Sequence, residues 1–450
     1  MELTRRSLVR GAAGFAASLL LAPHARLLAQ AGAPQPGPGY GPLRPVRDLN
    51  TGLNLIALPE GFSYVTFGWH REPMADGTPT PRAHDGMGIV AQRGDRITLV
   101  RNHEILADSG AFGPARVQYD PAAGGGTTTI EFDASTGKAG RAHASLAGTL
   151  LNCSGGVTPW GTWLSCEEVA PGPASPRLAR QHGYVFEVPP AGAKPEPLLG
   201  LGLFRHEAAV VHAPSGDVYL TEDRDPRAGF YRFVPKQRGR LGGDGVLEML
   251  RMKSHPDLRA GLPIGREFPV DWVRIDDPGL AHTPGRTDGL GVFTQGHAQG
   301  GSVFTRGEGC FATRDAVYFT STNGGANACG QVFAYYPARR TLALLFESPD
   351  IATLDYPDNL CFSPRGGLVL CEDGSRERTL LHGLGADGAL FPFARNDVVL
   401  DGEPFGHAGE FRGAEWAGTC FSADGRWLFA NLYTPGFSIA ITGPWRAGLI

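Results

Sequence analysis

The chain has 450 residues, including 64 Gly and 36 Pro, with only 19% charged residues and a formal net charge of −4. So many chain breakers with so little charge exclude a coiled coil or a helical bundle. The 24 Phe, 11 Tyr and 7 Trp supply too much apolar surface for a disordered chain, which leaves a large fold of short strands and Gly- and Pro-rich turns.

At the start, Thr4-Arg5-Arg6-Ser7-Leu8-Val9-Arg10 precedes an apolar run from Gly11 to Ala22 and the small-residue site Ala29-Gln30-Ala31. These are the three parts of an export signal over residues 1–31, and the paired arginines after a hydroxyl residue mark the twin-arginine route. About twelve apolar residues are too few to span a bilayer core of roughly 30 Å, so no membrane anchor is expected. The expected location is periplasmic, with the twin-arginine translocase as partner during export. Export of an already folded chain suits a cofactor loaded beforehand.

Removing residues 1–31 takes away four Arg and one Glu, leaving 37 basic and 44 acidic residues and no basic run. Nucleic acid and anionic membrane are poor partners for such a surface. Residues 32–49, which include Ala33-Pro34-Gln35-Pro36-Gly37-Pro38, read as a flexible linker, and residues 50–450 as one domain.

Six segments then repeat one pattern: an apolar strand, a tight turn, and a second apolar strand ending in a polar or acidic cluster. The first starts at His84-Asp85, turns at Arg93-Gly94-Asp95 and ends in Asn102-His103-Glu104. The second runs from Asn152 through Pro159-Trp160-Gly161 to Cys166-Glu167-Glu168. The third runs from Arg205-His206-Glu207 through Ser215-Gly216-Asp217 to Glu222-Asp223-Arg224. The fourth joins Arg306-Gly307-Glu308 to Asn323 through Arg314-Asp315. The fifth joins Asp358-Asn359 to Glu372-Asp373 through Arg365-Gly366-Gly367, and the sixth joins Arg412 and Glu415 to Asn431 through Asp424-Gly425. Turn chemistry and flanking β-formers make each unit a hairpin. Recurrence at intervals of 49 to 100 residues predicts an all-β, six-bladed β-propeller, with an insertion around 236–300 inside the longest interval. A large β-sandwich is the competing architecture, but it leaves the matched polar ends unexplained.

In a propeller the innermost hairpins surround a central channel, so their ends converge. The converging acids are Asp85, Glu104, Glu167, Glu168, Glu207, Glu222, Asp223, Glu308, Asp358, Glu372, Asp373 and Glu415. Asn102, Asn323, Asn359 and Asn431 add amide oxygens. This many like charges repel unless cations neutralise them. Carboxylate and amide oxygens suit Ca²⁺, Mg²⁺ or Mn²⁺, whereas a thiolate such as that of Cys166 suits iron or zinc. His103 and His206 are further candidates, as ligands or as supports for ligands. The seven cysteines contain no CxxC pair, and most sit in apolar runs as small buried hydrophobes. Arg205, Arg224, Arg306, Arg376 and Arg412 lie beside the acids, where their forks can pair with carboxylates or clamp an anionic substrate. Metals with an anion clamp are what phosphoryl transfer needs.

Taken together, Asn102-His103-Glu104, the run from Gly161 to Glu168, Arg205-His206-Glu207, Glu222-Asp223-Arg224, Arg306-Gly307-Glu308-Gly309 and Cys371-Glu372-Asp373-Gly374 resemble the motifs of the PhoX-type alkaline phosphatases. The linking runs Ala228-Gly229-Phe230-Tyr231-Arg232-Phe233 and Trp272-Val273-Arg274-Ile275-Asp276-Asp277-Pro278 are similar too. The resemblance holds in order from about residue 50 to 440, and the twin-arginine leader belongs to the same pattern. It implies a propeller whose channel holds a cluster of Fe³⁺ and Ca²⁺, in which a metal-bridging oxygen attacks phosphate monoesters without a protein nucleophile. It implies Cys166 as the iron thiolate. Glu167, Glu207, Glu222, Asp223, Glu308, Glu372, Asp373 and Glu415 are the implied carboxylate ligands, with Asn102 and Glu104 completing a calcium site. Arg205, Arg306 and Arg412 are the expected catalytic residues, because few lysines are present to clamp phosphate.

A small-molecule phosphate ester as substrate and a monomeric state complete the expectation. The chain is more compact than well-studied members of that family. The competing functions are a calcium-dependent lactonase or esterase propeller, which needs fewer acids and no thiolate, and a non-catalytic metal-binding propeller.

Overall fold

Every expected hairpin forms the inner half of an antiparallel sheet. The computed structural model describes residues 38–106, 110–169 and 178–450, so the leader expected over 1–31 lies outside the described residues. Blade I holds His84–Arg93, Arg96–His103, Gly125–Asp133 and Lys138–Thr149, and blade II holds Asn152–Val157, Trp163–Glu167 and Val185–Val188. Blade III begins with His206–Val211 and Val218–Glu222, and blade IV with Gly307–Ala312 and Val317–Ser321. Blade V begins with Pro357–Phe362 and Leu368–Glu372, and blade VI with Trp416–Phe421 and Leu428–Leu432. Each innermost strand touches that of the next blade, and the one in blade VI touches that in blade I, so the ring closes. The fold is an all-β, six-bladed β-propeller. No helix among the described residues is long and apolar enough to cross a membrane.

A strand from early in the chain locks the ring: Ser63–Phe67 pairs with Phe437–Thr442 as the outer strand of blade VI. Blade V likewise gains Ile56–Leu58 and Arg44–Val46 at its outer edge. The described part of the stretch expected as a flexible linker is therefore anchored, through the strand Arg44–Val46 and the side chain of Tyr40, although Leu49 stays 69% exposed. Tyr40 donates to the Ile450 carbonyl at 2.7 Å and meets Phe62, Phe393 and Trp445 edge-on. Composition suggested flexibility, but one aromatic side chain filling an apolar cleft outweighs its Gly and Pro neighbours.

Within the expected insertion at 236–300, Gly245–Arg251 is the regular fourth strand of blade III. Beyond it, Asp271–Arg274 adds a fifth strand to blade III and Glu267–Pro269 a fifth strand to blade IV. The helix Gly291–Ala298 sets Gly296 so close to Met249 that a β-carbon there would clash.

The core lies between blades, because both faces of each sheet are covered by neighbours. Between blades III and IV, Phe230 stacks on Phe319 at 4.1 Å and Phe319 on Phe333 at 5.1 Å. Burying such a ring contributes about 1.5–3 kcal/mol. Along a regular strand, side chains therefore alternate between the two flanking blades. A side chain reaches the channel only where the backbone leaves the sheet plane. That constraint selects the site residues.

Candidate metal centre

Every innermost strand carries a β-bulge at the same level. In blade I, His84 pairs with His103 and Met87 with Arg101, so Asp85 and Gly86 together oppose Asn102. The same interruption falls after Asn152, His206, Gly307 and Pro357 in the next four blades. Bulges twist a strand and re-aim its side chains. The first bulge residues of blades I to V are Asp85, Cys153, Glu207, Glu308 and Asp358. In blade VI the strand begins one residue earlier, at Trp416, and the bulge falls after Ala417 and begins with Gly418.

These side chains meet across the channel. The ligand atoms of Asp85, Glu104 and Cys153 lie within 4.8 Å of one another, as do those of Cys153, Glu168 and Glu207, and those of Glu207, Glu308 and Asp358. Cys153 and Glu207 each belong to two groups, so the three groups form one connected chain. Glu104 and Glu168 come from one residue beyond the second strand of their blades, where the chain has also left the sheet. Asp373 occupies the same position in blade V, and Glu415 stands just before the inner strand of blade VI.

Burial pushes the carboxyls of Asp85, Glu168, Glu207, Glu308, Asp358 and Glu415 well above the usual range, and the neighbouring carboxylates push them further. Glu104 is raised, first by burial, and Asp373 is pushed up to about 6, again first by burial. The Cys153 thiol is pushed up by burial and by Asp85 and Glu207. A bound cation inverts this situation by stabilising every charged form.

Unpartnered atoms test the fit. Both carboxylate oxygens of Glu207 and Oδ2 of Asp85 are buried without a hydrogen-bond partner. A buried anionic oxygen with no donor is costly by several kcal/mol, and a cation supplies what the protein does not. Oxygen donors suit a hard cation such as Ca²⁺, and the Cys153 sulfur adds a site for a softer metal such as iron. The donor set fits a mixed cluster.

Of the residues expected as ligands from sequence, Glu104, Glu207, Glu308, Asp373 and Glu415 are among those brought together. Asp223 also reaches the cluster, but its carboxylate is held by Arg306 Nε at 3.0 Å and approached by Arg205 Nη2 at 3.6 Å. Glu167, Glu222 and Glu372 are placed elsewhere. Each is the last residue of a regular second strand, so its side chain packs to one side of the blade. Glu167 accepts from the backbone N–H of Leu150, Gly183 and Tyr184 and contacts His182 Nδ1 at 2.6 Å. Glu222 accepts from Gly229 N and the Tyr231 hydroxyl, and Glu372 from Asp355 N and Leu380 N while meeting His382.

Asn102 and Cys166 share another position, opposite the bulge of their own blade and facing the next blade. Asn102 Nδ2 donates to the carbonyls of Cys153 and Ser154 at 2.9 and 2.8 Å, while its Oδ1 accepts from Trp163 and Ser165. Thr221 and Thr320, at the equivalent positions, donate to the carbonyls of Glu308 and Asp358. These bonds fix the backbone of the converging residues. Cys166 takes that place in blade II and is fully buried in an apolar cluster that includes Leu164, Val185, Phe204 and Ala209. The thiol among the carboxylates is that of Cys153.

Arg205 meets Glu168 through Nη2, and Arg306 Nη2 meets Glu308 Oε1 at 2.6 Å. Arg412 instead pairs with Glu410 and Glu377, away from the cluster carboxylates. Cys153, Asp85, Glu168 and Asp358 were not among the preferred ligands. Their signal was present, however: each follows a strand start or a strand end at the same offset in its repeat.

The sequence profile described as alkaline phosphatase PhoX matches residues 38–139 and 121–436. The chain belongs to the PhoX alkaline phosphatase family. Membership places this PhoX chain among metal-dependent phosphatases, in keeping with the acidic cluster. No curated protein matches it. Among solved structures it is similar to a gluconolactonase from Xanthomonas campestris, at 14% identity and a TM-score of 0.37, covering 81% of this chain and 97% of that one. A putative gluconolactonase matches at 10% identity and TM-score 0.36, covering 81% and 94% of the two chains. The Swd1 β-propeller domain of Myceliophteria thermophila matches at 11% and 0.35, covering 82% and 86%.

Proposed function

We propose that this PhoX chain is an exported phosphatase that hydrolyses phosphate monoesters of small molecules at an iron and calcium cluster held in its channel. The observation that carries the reading is the convergence of Asp85, Glu104, Cys153, Glu168, Glu207, Glu308 and Asp358, with the Glu207 carboxylate buried and unpartnered. Asp373 and Glu415 complete the ligand set. Cys153 is assigned as the thiolate ligand in place of Cys166. Twin-arginine export to the periplasm is part of the same proposal.

When bound, the cations neutralise the carboxylates and draw electron density from the phosphoryl group. The chain's own residues do the rest. The bulges hold the ligands in place, and Asn102, Thr221 and Thr320 lock the bulge carbonyls. Arg205 and Arg306 stand over the cluster on Glu168, Asp223 and Glu308, where their remaining N–H groups can orient a phosphate dianion. Asp223 restrains both guanidinium groups, which reduces the entropy lost when substrate binds.

The test is release of phosphate from a generic aryl phosphate by protein purified from the periplasm. Activity that EDTA abolishes and added calcium restores supports the proposal. A metal-loaded protein that releases no phosphate overturns it.

A further inference from the structure

We propose that Asn359 is the stopper of the central channel, closing the floor beneath the cluster. One level below the first bulge residues lie the second ones: Gly86, Ser154, Ala208, Gly309, Asn359 and Thr419. The ring is tight here. A β-carbon on Gly86 would stand 2.6 Å from Ser154 Cα, and one on Gly309 would stand 2.8 Å from Asn359 Cα. Among the six, Asn359 has the longest side chain.

Blades V and II face each other across a ring of six. Asn359 Nδ2 from blade V donates to Ser154 Oγ of blade II at 2.9 Å. Its Oδ1 accepts from the Thr419 backbone N–H of blade VI at 3.2 Å. The carboxamide thus lies across the channel axis and is held at both ends. Above it stand Asp358 and Cys153. Below it runs a cavity of about 120 Å³, lined largely by apolar side chains including Val157, Trp163, Val210, Phe311 and Leu360. A neutral amide with both its polar ends satisfied separates the charged chamber from this apolar passage without adding charge to either.

The consequence rests on the metal reading given above: cations, substrate and phosphate exchange only through the loop-side mouth. The test uses the full chain, Asn359→Ala, and Asn359→Ala combined with Val210→Phe, which refills the passage. The rate at which EDTA strips the bound cations is measured. Asn359→Ala is expected to release them about tenfold faster, equivalent to about 1.4 kcal/mol off the barrier, and the double variant to return to the parent rate. An unchanged rate in Asn359→Ala, or a fast rate that Val210→Phe does not slow, overturns the stopper. A parent protein that binds no cation would defeat the metal reading separately. The stopper is then judged from crystal structures of parent and Asn359→Ala. A file of waters through the level of residue 359 in the variant alone supports it, and the same water path in both overturns it.

Discussion

Glu167 and Glu168 are adjacent in sequence and do unrelated work. Glu168 stands in the channel with Cys153 and Glu207, whereas Glu167 is buried to one side, holding three backbone N–H groups and His182. The pair gives a direct comparison. Glu168→Gln should lose metal and activity while remaining folded. Glu167→Gln should keep its metal complement but lose stability, by about 1.5–3 kcal/mol for each charge-assisted bond weakened. Elemental analysis and thermal unfolding of both variants decide the matter; metal loss confined to Glu167→Gln would reverse the assignment.

The two thiols of blade II are separable in the same way. Cys153→Ser is expected to lose the thiolate-bound metal, read as iron content, together with nearly all activity. Cys166→Ser is expected to keep both and to unfold at lower temperature, because a hydroxyl in that apolar surround has a desolvation penalty of about 1–3 kcal/mol. Normal iron in Cys153→Ser would refute its role.

Arginine placement predicts a graded kinetic result. Arg306→Ala should raise KM for an aryl phosphate by about ten- to a hundredfold, the value of losing a charge-assisted hydrogen bond of about 1.5–3 kcal/mol. Arg412→Ala, whose partners are Glu410 and Glu377, should change KM by less than about fivefold, since pairs with exposed carboxylates contribute about 0–1 kcal/mol. Equal losses in the two variants would place Arg412 on the substrate after all.

Removing the cations should make stability depend on pH in a defined direction. Burial pushes the cluster carboxyl of Asp373 from 3.8 to about 6, and the other cluster carboxyls are raised as well. A carboxyl raised on folding favours the folded state below its unfolded value, and that contribution is lost as pH rises through the folded value. Stripped protein should therefore lose stability as pH climbs from about 4 through about 6 and beyond. Cations bound to the cluster carboxylates offset most of that loss. Unfolding temperatures measured before and after EDTA between pH 5 and 8 should diverge as pH increases. A constant gap would count against cation binding by these groups.

The amino-acid sequence by itself determined the architecture. Gly94 takes the φ of +59° that its tight turn requires, and each of the other hairpins also closed where turn residues interrupt β-formers. The recurrence of acids at matched hairpin ends placed a charged channel, because hairpin ends in a propeller converge. Which member of each acidic cluster enters the channel was decided only by tertiary structure. Glu167, Glu222 and Glu372 finish regular strands and must point toward a neighbouring blade, whereas Glu168, Asp223 and Asp373 stand one residue further on, where the sheet plane ends. The bulge residues Asp85, Cys153 and Asp358 reach the axis for the same reason, through an extra residue that pairing creates and composition does not reveal. The physical cause is the two-residue period of a strand: a shift of one position exchanges one side for the other, and register is set by partners that only the closed ring supplies.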